Sequence, residues 1–360
     1  MQQSIQDRSH DAAARPTPLR KTRHALRCAA LLAGLVAAFG HAGGVQAVEG
    51  GSGVYALGYI APQAGLMPDP GSYFSVNYYA YNGTSTANVS ATRQVSIAGT
   101  HLKLQEQLTG SIKTQVDSAS SLFSLTHVFT ETMLGGNPGL AVLLPYAKAD
   151  LDLTASGVFS LTGPSGRSHS LSLSGKDSQR DSGIGDTTLT GLLGWHDGRL
   201  HSMAMLNVYA PTGSFDKQRA VNVGRNHWAI EPMAALTWLN EATGLEVSGA
   251  AGITFNQINP ATDYKSGDEF HLDLTVIQHV SEKFYLGLVA YAYQQLTGDS
   301  GSGATSAYKG RVYSLGPIIG GMIPLGQKQQ LFINGRYYQE SGVENRLKGN
   351  TFFLTGTVKF

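Results

Sequence analysis

Residues 245–256 read Leu-Glu-Val-Ser-Gly-Ala-Ala-Gly-Ile-Thr-Phe-Asn. The odd-numbered positions, from Leu245 to Phe255, are apolar or small, and the even-numbered positions, from Glu246 to Asn256, are polar or small. A period of two is the period of a β-strand, because successive side chains point to opposite faces. Twelve residues exceed the ~5–6 of a typical strand and reach the ~9–11 that cross a bilayer at a tilt. The stretch therefore predicts a membrane-spanning strand with one lipid face.

The same alternation recurs from residue 73 onward and predicts about twelve strands. We expect them near 73–82, 121–134, 139–153, 185–196, 199–210, 226–240, 243–256, 268–280, 282–296, 309–324, 328–340 and 350–360. Long or polar connections are expected at 83–120, 154–184, 211–225, 257–267, 297–308 and 341–349, and short ones at 135–138, 197–198, 241–242, 281 and 326–327. Short periplasmic turns that alternate with longer external loops are typical of a transmembrane antiparallel β-barrel. A water-soluble β fold is the alternative, but it has no reason to sort its loops by side.

The composition agrees with this all-β interpretation. Only 14% of the 360 residues are charged, 44 are glycine, and the mean hydropathy is close to zero at −0.10. In a barrel strand, apolar residues that face lipid alternate with polar residues that face the lumen, so their contributions to the mean hydropathy would cancel. No run of about 18 uncharged apolar residues is present, which excludes a bundle of membrane helices. The balance of 26 Lys+Arg against 25 Asp+Glu provides no basic field for nucleic acid.

The N-terminus predicts export. Basic residues between Arg20 and Arg27 precede an apolar stretch from Cys28 to Phe39, and Val45-Gln46-Ala47 follows as a cleavage site. Residues 1–47 are therefore expected to be a cleaved signal peptide. Cys28 is the only cysteine, so the mature chain would have no disulfide or thiol chemistry. Residues 48–72 are then an N-terminal segment, either a plug or a periplasmic tail, and residues 73–360 form the barrel.

If the apolar faces meet lipid, the opposite faces line a lumen. This assigns charged and polar side chains to the interior, and the lumen-lining candidates are Lys148, Asp150, Glu231, Glu246, His271, Asp273 and Arg336. Such residues could form a polar path or gate, with Arg336 set against one of the carboxylates, or an ion-pair network that only fills the barrel. Both interpretations remain open at this point.

Enzyme chemistry has little support. The neighbouring serine and histidine pairs are Ser168-His169 in a predicted loop and His201-Ser202 on opposite faces of a strand, so neither suits a nucleophile and its base. The histidines lack metal-ligand spacing, and no glycine-rich phosphate loop opens a helix. We expect no catalytic residues, no metal and no cofactor.

Several blocks resemble the family of the meta-pathway of phenol degradation, whose members are proposed outer-membrane transporters. The blocks are Gly-Trp-His at 194–196, Tyr-Ala-Pro-Thr-Gly at 209–213, Val-Gly-Arg-Asn-His-Trp at 223–228, Asp-Tyr-Lys-Ser-Gly-Asp-Glu-Phe-His at 263–271, Tyr-Gln-Gln-Leu-Thr-Gly-Asp at 293–299 and Gly-Val-Glu-Asn-Arg at 342–346. The resemblance implies an outer-membrane channel for uptake of aromatic or other hydrophobic small molecules by passive diffusion through the barrel. A structural or adhesion-type barrel with no transport role is the alternative.

These expectations also define the partners and the location. The protein should lie in the outer membrane of a Gram-negative bacterium, in contact with outer-membrane lipid and with a small hydrophobic or aromatic solute, and not with nucleic acid. The terminal Phe360, with apolar residues at every second position before it, resembles the signal that the outer-membrane assembly machinery recognises.

Overall fold

The computed structural model describes residues 53–60, 62–96, 101–304, 309–326 and 329–360, and the predicted signal peptide, 1–47, lies outside them. The described residues form thirteen strands: β1 (Gly71–Ser96), β2 (Lys103–Val128), β3 (Asn137–Thr162), β4 (Ser168–Ile184), β5 (Thr187–Asp197), β6 (Leu200–Ala210), β7 (Ala229–Asn240), β8 (Leu245–Asn256), β9 (Glu269–Ser281), β10 (Phe284–Gln295), β11 (Arg311–Leu325), β12 (Gln329–Glu344) and β13 (Lys348–Lys359). Among the described residues, no helix is long and apolar enough to cross a membrane.

The strands close into an antiparallel barrel. Neighbours in sequence pair with one another except for β4 and β5, β1 also pairs with β13, and β3 pairs with β5 as well as with β2 and β4. β4 pairs with β3 alone and continues the line of β5, since Tyr146 of β3 lies opposite Ile184 and Leu143 lies opposite Thr188. β4 and β5 therefore occupy one position, and the barrel has twelve. The predicted fold class, an all-β transmembrane barrel of about twelve strands, is confirmed.

The two faces of the wall differ as the alternation predicts. In β9, Leu274 and Val276 are exposed on the outside, whereas His271, Asp273 and Thr275 are buried within the barrel. The same outward exposure of large apolar side chains continues around the barrel, for example at Phe74, Leu140, Leu236, Leu288, Leu315 and Leu354. Together these side chains form an apolar belt of the kind that meets lipid.

Most turns also agree with the sequence. Only two residues separate β5 from β6, and Gly198 adopts a left-handed φ of 56° in that turn. Such a two-residue hairpin favours glycine because a Cβ is strained at positive φ. The backbone N–H of Phe360 donates to the carbonyl of Ser72 (3.0 Å), so the chain returns to the end where β1 begins.

Two predicted long loops are wrong. Most of 83–120 belongs to β1 and β2, and most of 154–184 belongs to β3 and β4. β1 ends at Ser96 and β2 begins at Lys103, and residues 163–167 join β3 to β4, so most of each supposed loop is a pair of antiparallel strands. β1 and β2 each have 26 residues, more than twice the ~9–11 needed to cross a bilayer.

The surplus length forms a sheet beyond the barrel wall. β1 pairs with β13 only as far as Thr84 and Lys348, and beyond that point it pairs with β2 alone. We call residues 84–96, 103–115, 152–162 and 168–178 of β1 to β4 the extension. Its strands continue the barrel register without a shift. At ~3.3 Å per residue, thirteen residues of β1 carry the extension about 40 Å beyond the barrel wall.

Candidate functional site: the barrel lumen

The barrel lumen contains part of the protein's own chain. The segment that precedes β1, of which residues 53–60 and 62–70 are described, contacts inward-facing side chains of several strands. Its Gly65 N–H donates to Thr237 Oγ1 in β7 (2.9 Å), and its Gln63 N–H donates to Glu246 Oε1 in β8 (2.9 Å). Met67 of the same segment is buried. The N–H groups of Gln63 and Gly65 would otherwise need water as a partner. The lumen side chains accept their hydrogen bonds, as the backbone of a neighbouring strand would in a sheet.

Asp273 and Arg336 hold the segment at Gly58 from two sides. The backbone N–H of Gly58 donates to Asp273 Oδ1 (3.2 Å), and the Gly58 carbonyl accepts from Arg336 Nε (3.2 Å). Arg336 Nη2 also donates to the carbonyl of Tyr59 (2.8 Å). Arg336 thus pairs with backbone carbonyls rather than with Glu231, Glu246 or Asp273, which corrects the sequence hypothesis for its partner.

Tyr55 joins this contact to a second cluster. Its hydroxyl donates to Asp273, and its ring stacks on His271 with centroids 3.7 Å apart and planes 15° from parallel. His271 Nε2 lies 2.9 Å from Glu231 Oε1. The segment is therefore in contact with a charged centre shared by β7 and β9.

Glu231 is the most heavily hydrogen-bonded carboxylate of the lumen. It accepts from Tyr209 OH (2.6 Å), Thr254 Oγ1 (2.7 Å) and Asn207 Nδ2 (2.9 Å), besides its contact with His271. The side chain is completely buried. A buried carboxylate is tolerated when its lone pairs are satisfied in this way. These donors come from β6 and β8, so Glu231 ties three neighbouring strands together.

Glu246 forms a similar but smaller centre nearer the end where β1 begins. Its Oε1 accepts from Ser248 Oγ (2.8 Å) as well as from Gln63, and its Oε2 lies 2.8 Å from His279 Nε2. Ser248 also shares a hydrogen bond with Thr237 (2.9 Å). The two centres place polar contacts along the segment between Tyr55 and Gly65.

Apolar and aromatic side chains fill the space between these polar contacts. One buried cluster includes Met203, Met205 and Met233 and packs against Ala64 and Met67 of the segment. The other includes Tyr291, Tyr293, Tyr338 and Phe353 and packs against Ala56, Leu57 and Tyr59. Arg336 lies over the ring of Phe353, with its guanidinium carbon 4.4 Å from the ring centroid. The lumen therefore offers an aromatic wall interrupted by a few charged groups.

The structure brings together five of the seven predicted lumen residues. Glu231, Glu246, His271, Asp273 and Arg336 are buried within the barrel and act on the same segment, directly or through one neighbour. Whether they line a path for a solute stays a prediction.

Lys148 and Asp150 do not face the lumen. They have the same parity in β3 as the outward-facing Leu144 and Tyr146, and their register partner in β4 is on the outer face as well. Asp150 pairs there with Lys148 (3.1 Å) and Arg180 (2.7 Å) at the upper margin of the apolar belt. The prediction was wrong because it assigned these two residues to the lumen face, although they share the parity of the apolar outward residues of β3. The outer face of β3 changes from apolar to charged at this point.

Sequence reasoning missed the residues of the segment itself that contact the barrel, and it also missed one of their partners. Tyr55, Gly58 and Gly65 make the contacts, and Tyr338 adds a hydroxyl that donates to the Gly58 carbonyl (3.1 Å). Gly58 has a φ of 82°, and a Cβ there would lie 2.8 Å from the Tyr338 ring. The many glycines of residues 48–72 indicate that this backbone can approach other parts of the chain closely, but they do not indicate which residues it contacts.

Comparison with solved structures agrees with the architecture. The COG4313 outer membrane channel from Pseudomonas putida F1 is 18% identical and gives a TM-score of 0.58, over 84% of this chain and 100% of that one. A FadL homologue of Pseudomonas aeruginosa (9% identical, 81% and 89% covered) and the CymD monoaromatic hydrocarbon channel (8% identical, 88% and 98% covered) each give a TM-score of 0.38. Only the first is similar enough to support the fold. No curated protein gives a significant sequence match.

A closed antiparallel barrel with an apolar outer belt and a polar interior whose buried carboxylates are hydrogen-bonded is an outer-membrane β-barrel. The family model described as "Putative MetA-pathway of phenol degradation" matches residues 82–355. The chain belongs to this family, as the sequence blocks indicated.

Proposed function

We propose that this protein is an outer-membrane channel for aromatic or other hydrophobic small molecules, which diffuse passively through the barrel. The observation that carries the proposal is the combination of an aromatic inner wall with a lumen in which the described residues that precede β1 are held by hydrogen bonds and packing. Family membership supports it, and so does the fold similarity to a channel of Pseudomonas putida F1. The described residues contain no cluster of potential metal ligands, so the proposal invokes no metal.

The N-terminal segment acts in this proposal as a plug. A structural tail would need no specific contacts, whereas residues 55–65 exchange hydrogen bonds with Asp273, Arg336, Glu246 and Thr237. Besides the apolar packing and the stack on His271, the segment is held by hydrogen bonds of about 1–3 kcal/mol net each, and most of these involve the charged groups of Asp273, Glu246 and Arg336. Its displacement would break these contacts but not the strand pairing of the wall. A solute with an aromatic ring could take the place of Tyr55 on His271.

Single-channel recording tests the plug. Deletion of residues 53–66 should raise the conductance of refolded protein, and Tyr55→Ala should raise it less, because it removes one stack and one hydrogen bond. Tyr78→Ala, which removes the same side chain from the outer face, serves as the matched control and should leave conductance unchanged. Equal conductance in wild type and the deletion variant would refute the plug.

Uptake tests the channel itself. In a strain that lacks the gene, the initial rate of uptake of a labelled monoaromatic hydrocarbon should fall, and plasmid-borne protein should restore it. The Leu288→Val substitution, which keeps the outer face apolar, should not affect the rate. Tyr291→Trp, which enlarges an aromatic side chain of the lumen, should reduce the rate because it narrows the lumen. If uptake does not change on deletion of the gene, the transport proposal fails and the structural or adhesion-type barrel is favoured.

A further inference from the structure

The extension has two chemically opposite faces. On the face that continues the outside of the barrel, nearly every side chain is Ser, Thr, Asn, Gln, Lys or Asp, and Val158 is the one apolar residue within its described strands. On the face that continues the inside of the barrel, three consecutive cross-strand rows contain only apolar residues and glycine. The rows on either side of these three are mixed, and one of them carries the Arg93–Glu106 ion pair. Leu108, Phe159 and Leu171 lie side by side in one of the three apolar rows.

In the barrel, the distribution of apolar and polar side chains between the two faces is the opposite. In the same strands, the outward positions of the barrel carry Phe123, Leu125, Leu140 and Val142, which are exposed and apolar. The register between β2 and β3 is unbroken from Val128 to Gln105, so no bulge rotates the strands. The apolar residues therefore change face because the sequence changes, not because the backbone does.

Lipid does not account for the apolar face of the extension. Lipid surrounds the barrel on its outside, and the extension presents its polar side in that direction. The apolar face instead continues the surface that leads into the lumen. Leu171 is 49% exposed, although it lies within this face. Exposed apolar surface beside an entrance is typical of a binding surface.

The size and shape of the face suit a small ligand. The apolar rows cover five residues of β3, from Ala155 to Phe159, and three interstrand spacings, which give an area of about 250 Å². Next to the row of Leu108 and Phe159 lies a row with Gly110 and Gly157 opposite each other at its centre. Because neither has a side chain, the face has a shallow groove there, bordered on one side by the Phe159 ring. A flat apolar molecule fits such a groove better than a second protein surface does.

The face is continuous with the lumen. Below the groove the inner side continues through Leu153 to Leu151 and Val116, which lie opposite each other in the register. The next inner position of β1 toward the barrel is Tyr81, which lies opposite Ser118 of β2. The Tyr81 hydroxyl donates to the lumen carboxylate Glu340 (3.3 Å). A molecule on the extension therefore meets apolar or aromatic side chains at each step toward the barrel.

We propose that the inner face of the extension binds the hydrophobic or aromatic solute before it enters the barrel. This inference rests on the proposed channel function and adds to it a capture site outside the membrane. A solute of low water solubility collects on an apolar surface, which raises its local concentration at the entrance. The site is formed by the groove at Gly110 and Gly157 and by the side chains of Leu108, Phe159 and Leu171.

The test uses full-length protein in nanodiscs and N-phenyl-naphthylamine, whose fluorescence reports an apolar environment. The variant Phe159→Ser/Leu171→Ser removes two facing side chains from the inner face. The control Val158→Ser/Ser172→Ala alters the pair that face each other on the outer side of the same two strands. Probe affinity should fall about tenfold in the first variant and stay within about twofold in the second. A heat-modifiable band on SDS gels confirms that both variants retain a folded barrel.

Uptake measurements distinguish a failure of the capture site from a failure of the proposed channel function. With the labelled hydrocarbon, Phe159→Ser/Leu171→Ser should raise the half-saturating concentration and leave the maximal rate unchanged, since the lumen is intact. Unchanged affinity and unchanged half-saturation in a strain that does take up the compound would overturn the capture site but not the channel. If wild type transports nothing, the channel fails, and a loss of probe binding in the first variant alone would still support the site. If that variant instead converts an oligomer to a monomer, the face is an interface between copies and the proposal is wrong.

Discussion

The barrel wall and the extension are made from the same strands and differ in which face is apolar. In β2, Phe123 and Leu125 point outward in the barrel, whereas Leu108 and Ile112 point inward in the extension. Both regions alternate with a period of two, and the same register runs through both. The comparison shows that alternation predicts a strand but does not say which face is apolar. We infer that the surroundings decide this, and that lipid surrounds the barrel but not the extension.

The largest expected effect distinguishes the lipid face from the extension directly. Leu274→Arg, near the middle of β9 on the exposed outer face, should destabilise the inserted barrel by roughly 2–4 kcal/mol. Leu108→Arg in the extension should leave insertion unaffected, because Leu108 does not meet lipid. Urea titration of folding into lipid vesicles measures both effects.

Depth provides the matched control for this experiment. Val280→Arg lies on the same face of β9 but at the end of the strand, so its cost should be about 0–1 kcal/mol. Equal costs at Leu274 and Val280 would show that the outer face is not immersed in lipid. An equal cost at Leu108 would show that the extension lies within the membrane.

This difference also explains which parts of the fold could be predicted. Strands β5 to β13 were predicted within a few residues, because each keeps apolar residues on one face throughout its length. The parts of β1, β2 and β3 that form the extension were missed, and so was the whole of β4, because the apolar residues change face in the extension and serine and threonine dominate the other face. If every strand is assumed to have one apolar face along its whole length, a stretch in which the apolar residues change face is interpreted as a loop.

The site divides in the same way. Five lumen candidates follow from the parity of their own strands, so local sequence was sufficient to place them. The partners of Asp273 depend on residues more than two hundred positions away, such as Tyr55, and no local pattern encodes that contact. Lys148 and Asp150 were misplaced because they lie at the junction between the two regions, where a charge no longer indicates the lumen.

A buried carboxylate of the barrel should be more sensitive to substitution than any charge of the extension. Glu231→Gln places an amide where both oxygens accept hydrogen bonds, so one donor is left unsatisfied. We expect a loss of about 1–3 kcal/mol, measured by the same urea titration. Thr275→Val is the matched lumen control: its buried hydroxyl has no hydrogen-bond partner, so the substitution should be neutral or stabilising. A larger loss at Thr275 than at Glu231 would contradict this account of the lumen.

The smallest effect is expected at the ion pair of the extension. Arg93 Nη2 lies 2.7 Å from Glu106 Oε2, and the two side chains are 74% and 26% exposed. Water and salt screen such a pair, so Glu106→Gln should change stability by only ~0–1 kcal/mol, and the difference should vanish at high ionic strength. Hydrogen exchange of the β1 and β2 amides detects it locally, since the barrel amides are expected not to respond. If Glu106→Gln instead accelerated exchange throughout the barrel, the extension would be folding as one cooperative unit with the wall, and the contrast between the two regions would be one of surface chemistry alone.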